Sequence, residues 1–154
     1  MRVQVVVIGR PRDAGLAEAI RGYETRAGRY WPLDVLEVRE EPAKGLTSSI
    51  VRARESARML ERLAPAAQVV VCDAGGATQD SEAFADWLGG QRDLGRSVSF
   101  VIGGAFGISD ELRARAFRRL SLAPWTLPHE VARLVLAEQL YRAGTILRGE
   151  PYHK

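Results

Sequence analysis

Ser97-Val98-Ser99-Phe100-Val101-Ile102, then Gly103-Gly104-Ala105-Phe106-Gly107, then Ser109-Asp110-Glu111: a strand, a glycine loop and a helix start stand in direct succession. The first run is rich in β-branched and aromatic residues, which predicts a strand. Ser109 is a capping residue, and Asp110 and Glu111 sit where a helix N-terminus favours negative charge. Glycines between such elements allow positive φ and let the backbone approach a ligand closely. In a parallel α/β sheet, ligands bind beyond the carboxyl ends of the strands, so Gly103–Gly107 is both a tight turn and a candidate ligand loop. Its spacing is neither the dinucleotide fingerprint nor a Walker loop.

Working outward, the same alternation continues to both ends. Toward the N-terminus, Val69–Cys72 reads as a strand ended by a glycine turn, Asp73-Ala74-Gly75-Gly76. Val3–Ile8 and Leu33–Val38 read as two more strands. Three helices connect them. The first is capped by Asp13, with Leu16, Ala19, Ile20, Tyr23 and Ala27 on its apolar face. The second is capped by Thr47 or Ser48, with Ile50, Ala53, Ala57, Leu60 and Ala64. The third is capped by Asp80 or Ser81, with Phe84, Trp87 and Leu88. Toward the C-terminus, Arg119–Ala123 reads as a fifth strand and Pro124–Pro128 as a stiff connector. A long helix follows from His129 to Leu147, with Val131, Leu134, Val135, Glu138 and Tyr141 near one stripe. The expectation is an α/β fold, a parallel-dominated sheet flanked by helices, in one domain spanning 1–154.

Composition bounds the chemistry. With 46% apolar and 27% charged residues in 154, the chain has the make-up of an ordinary globular domain. A single cysteine, Cys72, excludes an internal disulfide and a multi-cysteine zinc site. No metal-ligand spacing is present. No run approaches a membrane span, and the N-terminus lacks a signal-peptide pattern, so the expected location is cytoplasmic. Lys and Arg number 22 against 19 acids, a net charge of +3 that permits a nucleic-acid partner without demanding one. Arg113, Arg115, Arg118 and Arg119 form a cluster that is either a solvated helix face or a phosphate-contacting edge. Glu138 and Arg142 are spaced for a same-face ion pair. The tail, Pro151-Tyr152-His153-Lys154, is either a frayed end or a segment folded onto an active site.

Four segments together carry a resemblance: Phe100–Gly107, Leu120–His129, Leu136–Ala143 and Pro151–Lys154. At this spacing they resemble the ribosomal RNA large subunit methyltransferase H family, within the SPOUT superfamily of trefoil-knotted enzymes. The resemblance implies an S-adenosylmethionine-dependent methyltransferase acting on N3 of a pseudouridine in the helix-69 loop of large-subunit (23S) rRNA, on the assembled 70S ribosome. It implies a C-terminal trefoil knot, which periodicity does not reveal, and a homodimer whose sites are completed across the interface. No membrane or DNA partner is implied. By position, it assigns cofactor binding to Cys72, Gly103, Gly104, Gly107 and the wrapping loop Ser121, Leu122, Ala123, Pro124, Trp125, Thr126 and Leu127. It assigns the substrate side to His129, Glu138, Tyr152 and Lys154. The chemistry of removing a proton from N3 makes His153 the candidate base, Arg142 its electrostatic partner and Tyr152 a group that holds the target base. Phe106, Gly144, Ala123-Pro124-Trp125 and the end at Lys154 depart from the family pattern. Gly144, where the family pattern has tryptophan, is expected to weaken its helix. The alternatives are a knotted methyltransferase for another RNA, such as tRNA, and a non-enzymatic RNA-binding protein.

Overall fold

The computed structural model describes residues 1–154. Its elements run β1 (Val3–Ile8), α1 (Ala14–Ala27), β2 (Leu33–Val38), α2 (Ser48–Arg62), β3 (Gln68–Ala77), α3 (Ser81–Asp93), β4 (Val98–Ile102), α4 (Asp110–Ala114), β5 (Arg118–Leu120), α5 (His129–Leu147) and a closing 3₁₀ turn, Pro151–His153. All five strands are parallel, in the order β2-β1-β4-β3-β5. The expected helix caps act through their side chains: Asp13, Thr47, Asp80 and Ser109 accept the amides of Leu16, Ile50, Ala83 and Leu112.

The core divides about the sheet. One side packs Phe84, Leu88 and Phe100 with Leu136, Leu140 and Ala143 of α5; the other packs Val6, Val71 and Val101 with Met59 and Leu112. Each of these side chains other than Ala143 contributes on the order of 1.5–3 kcal/mol of burial free energy. Many polar groups inside are paired, although Gln68 Oε1, Gln79 Nε2 and Gln91 Oε1 have no partner. The Trp31 indole N–H donates to the Leu140 carbonyl at 2.8 Å, and the Ser99 hydroxyl to Gln4 Oε1 at 2.8 Å. Arg133, on buried α5 surface, pairs with Glu24 of α1 at 2.7 Å and Glu37 of β2 at 3.0 Å. These pairs fix the rotation of α5, the helix that carries the candidate site.

Four expectations need correction. The glycine turn at Asp73–Gly76 is part of β3, which continues to Ala77 across an irregularity in its pairing with β5. Gly76 permits this, since a Cβ there would stand 2.7 Å from the Arg119 and Leu120 backbone. The fifth strand is Arg118–Leu120, not Arg119–Ala123. Ser121 still donates to the Ala77 carbonyl, but its hydroxyl turns to the Ala123 carbonyl at 2.6 Å and the chain leaves the sheet.

Most of the apolar face assigned to α2 points outward, although Leu60 packs against the core. Ile50 is 41% exposed, and the buried row is Val51, Glu55, Ser56 and Met59. Two polar residues on the buried side misled the periodicity. The expected stripe of α5 is likewise only half-buried; the sheet receives Ala132, Leu136, Leu140 and Ala143.

Candidate active site

A cavity of about 600 Å³ opens at the carboxyl ends of β3 and β4. Its walls include Cys72, Gly103, Gly104, Gly107, Leu122, Ala123, Trp125, Thr126 and Leu127, with Pro128, His129 and Ala132 closing the side toward α5. Ser121 and Pro124 are not among its walls; Ser121 lines a neighbouring pocket with Gln139. Burial pushes the Cys72 thiol up to about 12, so it is a neutral apolar wall and not a nucleophile. Gly107 has φ 79°, a left-handed conformation suited to glycine. Gly103 is needed for a different reason from the expected one. A Cβ there would stand 2.7 Å from Ile108 Cγ2 and 3.0 Å from the Gly107 carbonyl, so the constraint is the fold of the loop itself.

The wrapping loop has a distinctive polar character. The backbone amides of Leu122, Ala123, Trp125, Thr126 and Leu127 donate no hydrogen bond within the chain. Backbone donors at a cavity must find water or a ligand, and these five stand along one of its walls.

The tail is ordered by packing. Tyr152 lies against Tyr141, ring centroids 4.5 Å apart, and its hydroxyl donates to Glu138 Oε1 at 3.0 Å. The same oxygen receives Arg142 Nε at 2.9 Å and Nη2 at 2.6 Å, leaving Nη1 free, and the guanidinium sits 4.9 Å from the Tyr152 ring centroid. Burial, then the hydrogen bonds with Tyr23 and Glu138, push the Tyr152 hydroxyl above the usual phenol range. It is a neutral donor, not a base. His153 Nδ1 lies 2.9 Å from the Glu150 carbonyl. A carbonyl only accepts, so Nδ1 carries the proton and Nε2 of the neutral ring is left as the acceptor. Lys154 is exposed.

These two constellations are not together in one chain. The cavity is at the His129 end of α5, and Arg142 lies about 20 Å further along the axis at 1.5 Å per residue. The arginine cluster also resolves into partners: Arg113 and Arg119 both bind Asp73, at 3.3 and 2.8 Å, and Arg118 donates to Gln79 beneath Trp87. Of the four, only Arg115 makes no side-chain hydrogen bond or ion pair.

A family model described as "Predicted SPOUT methyltransferase" matches residues 1–153. The chain belongs to the SPOUT methyltransferase family. It is 66% identical over 154 residues to the "Ribosomal RNA large subunit methyltransferase H" of Gemmatimonas aurantiaca, with all of both chains covered. It is 43% identical to the protein of the same name from Pelobacter propionicus, covering 99% of each. Among solved structures, a probable methyltransferase from Bordetella pertussis shares the fold at TM-score 0.57 and 19% identity, covering 92% of this chain and 95% of that one. The parallel sheet flanked by helices is the architecture of SPOUT methyltransferases, and S-adenosylmethionine is their cofactor.

The residues present fit that group. The volume suits a ligand of this size, and the unpaired amides of the wrapping loop offer donors to a purine and a ribose. Sequence reasoning missed Ile102, Ile108 and Ala132 in the walls, and Glu55 beside them. Residue type alone did not mark Glu55, because its row on α2 reads as the solvent face in the sequence.

Proposed function

We propose that this SPOUT methyltransferase methylates N3 of a pseudouridine in the helix-69 loop of 23S rRNA, on the assembled ribosome in the cytoplasm. A single observation carries the reading: a full-length likeness to relatives named as ribosomal RNA large subunit methyltransferase H. No helix is long and apolar enough to cross a membrane, which accords with it.

Cys72, Gly103, Gly104, Gly107, Leu122, Ala123, Trp125, Thr126 and Leu127 hold S-adenosylmethionine, which supplies an electrophilic methyl group when bound. The protein's task is then alignment and removal of one proton. His153 Nε2 receives the N3 proton. Arg142 is immobilised by Glu138, and its free Nη1 faces a carbonyl oxygen of the ring as negative charge develops there. Tyr152 provides an aromatic face for the base. His129, between cavity and helix, borders the reacting groups. Lys154 contacts the RNA backbone.

The distance between cavity and tail supports a homodimer in which each cavity receives the partner's tail. The half-exposed face of α5, with Val131, Leu134 and Val135, is the seam. Threading of the wrapping loop and α5 as a trefoil knot is part of the same reading.

Ribosomes from a strain lacking the modification, incubated with the protein and methyl-labelled S-adenosylmethionine, should acquire label at one pseudouridine. Label in tRNA, or none in ribosomes, would overturn the proposal. Sedimentation at micromolar concentration should give a dimer; an active monomer would remove the shared-site element.

A further inference from the structure

Beside the main cavity, across Ala105, lies a second one of about 320 Å³, walled by Arg12, Glu40, Glu41, Glu55, Ala105 and Phe106 among others. Its three carboxylates are not equivalent. Glu41 is buried and paired with both Arg54 and Arg58, and Glu40 is paired with Arg12 at 2.7 Å. Glu55, only 2% exposed, has no cationic partner. Its Oε2 accepts the Glu41 amide at 3.1 Å, while Oε1 makes no hydrogen bond within the chain. That free oxygen points at the glycine loop, 2.9 Å from where a Cβ of Gly104 would be. Burial, opposed by the Glu41 amide, pushes the carboxyl above its usual range. Oε1 itself faces the pocket, so its open acceptor position is available to a donor or cation that enters there.

We infer that Glu55 receives the α-ammonium group of S-adenosylmethionine, and that the pocket beside Gly104–Phe106 holds the amino-acid end of the cofactor. The inference rests on the main cavity being the cofactor site. The two spaces meet at Ala105, which walls both, so a ligand with its nucleoside in the larger cavity has the smaller one within reach of its other end. An ammonium supplies what Glu55 lacks, a positive charge and N–H donors. Arg12, exposed and held by Glu40, lies on the opposite chemical side of the same pocket, suited to the carboxylate of a zwitterion. Gly104 is then required because any side chain would stand between Glu55 and the ligand. The sulfonium is the other cation in the molecule, but it donates no hydrogen bond and would leave Oε1 unfilled.

Calorimetric titration of the whole protein with three ligands tests this. S-adenosylmethionine has both cations, S-adenosylhomocysteine only the ammonium, and 5′-methylthioadenosine neither. Glu55→Gln should weaken the first two by about 10- to 100-fold, the range for loss of a buried charged hydrogen bond. Affinity for 5′-methylthioadenosine should stay within about twofold, which also certifies the fold of the variant. Glu55→Asp, with the charge retained and the reach shortened, should fall between. Equal weakening of all three ligands, or none, would overturn the inference, as would a loss confined to S-adenosylmethionine, which would assign Glu55 to the sulfonium. Failure of wild-type protein to bind S-adenosylmethionine and S-adenosylhomocysteine would instead overturn the cofactor site itself.

Discussion

The two ends of α5 are built by opposite means. At the His129 end the cavity is made of backbone: glycines, unpaired amides and apolar walls, with the neutral Cys72 thiol among them. At the other end the constellation is made of side chains: Glu138, Arg142, Tyr141 and Tyr152 touching one another through charge and ring. A backbone-built site tolerates exchange of most side chains and fails when a Cβ is added where the loop turns. A side-chain-built site fails by truncation while the fold around it survives. Binding and chemistry should therefore be separable by mutation.

The largest effect should come from deleting Tyr152 to Lys154. Methyl transfer to ribosomes should fall by at least about 100-fold, the lower range for loss of a positioned proton-transfer group. Titration with S-adenosylhomocysteine should remain within about twofold of wild type. His153→Ala should reproduce much of the loss, and its defect should shrink as pH rises and N3 ionises unaided. A defect that is flat with pH would make His153 a positioning group, and full activity of the deletion would break the contrast between the two ends.

Next in size is Gly103→Val. The clash with Ile108 and the Gly107 carbonyl should cost about 1–3 kcal/mol in thermal or denaturant unfolding, as overpacking does, and should remove S-adenosylhomocysteine binding. Mixing this variant with the tail-deleted one sharpens the comparison. If cavity and tail come from different protomers, mixed dimers contain one intact site and activity returns; no recovery would place both in one chain.

The smallest effect is expected at Gly144→Ala. Helix propensity alone would make alanine better by about 1 kcal/mol. A Cβ there would stand 2.3 Å from Tyr30 Cγ, however, and Tyr30 is held by Glu150 at 2.5 Å just before the tail. Overpacking of about 1–3 kcal/mol should win, lowering the melting temperature with cofactor titration unchanged. In a Tyr30→Leu background the sign should reverse or vanish. A stabilised single variant would mean that the ring simply moves aside.

What was legible in the sequence is what local physics decides. Capping oxygens at Asp13, Thr47, Asp80 and Ser109 need only their own next turn, and the strands Val3–Ile8 and Leu33–Val38 need only their own composition. Features decided by a distant partner were not legible. The run of β3 beyond Cys72 depends on β5, and Gly144 looks like a defect until Tyr30 is set against it. The face of α2 was misread because Glu55 and Ser56 occupy its buried row. Polar residues enter such a row where something other than packing is required. The glycine loop announced itself as a ligand site, whereas its chemical identity came from resemblance, since unpaired amides leave no mark on residue type.

Because α5 is one uninterrupted helix of 19 residues, it acts as a ruler about 28 Å long between cavity and tail. A ruler of this kind has a phase as well as a length. One inserted residue anywhere between Ala132 and Glu138 would carry everything beyond it around by about 100° and forward by about 1.5 Å, turning Arg142 and Tyr152 away from their present direction. Loops elsewhere can lengthen without such a penalty. Descendants of this chain are thus free to drift at the outward positions of α5 but not in its residue count, and its gap-free length is a heritable quantity in its own right.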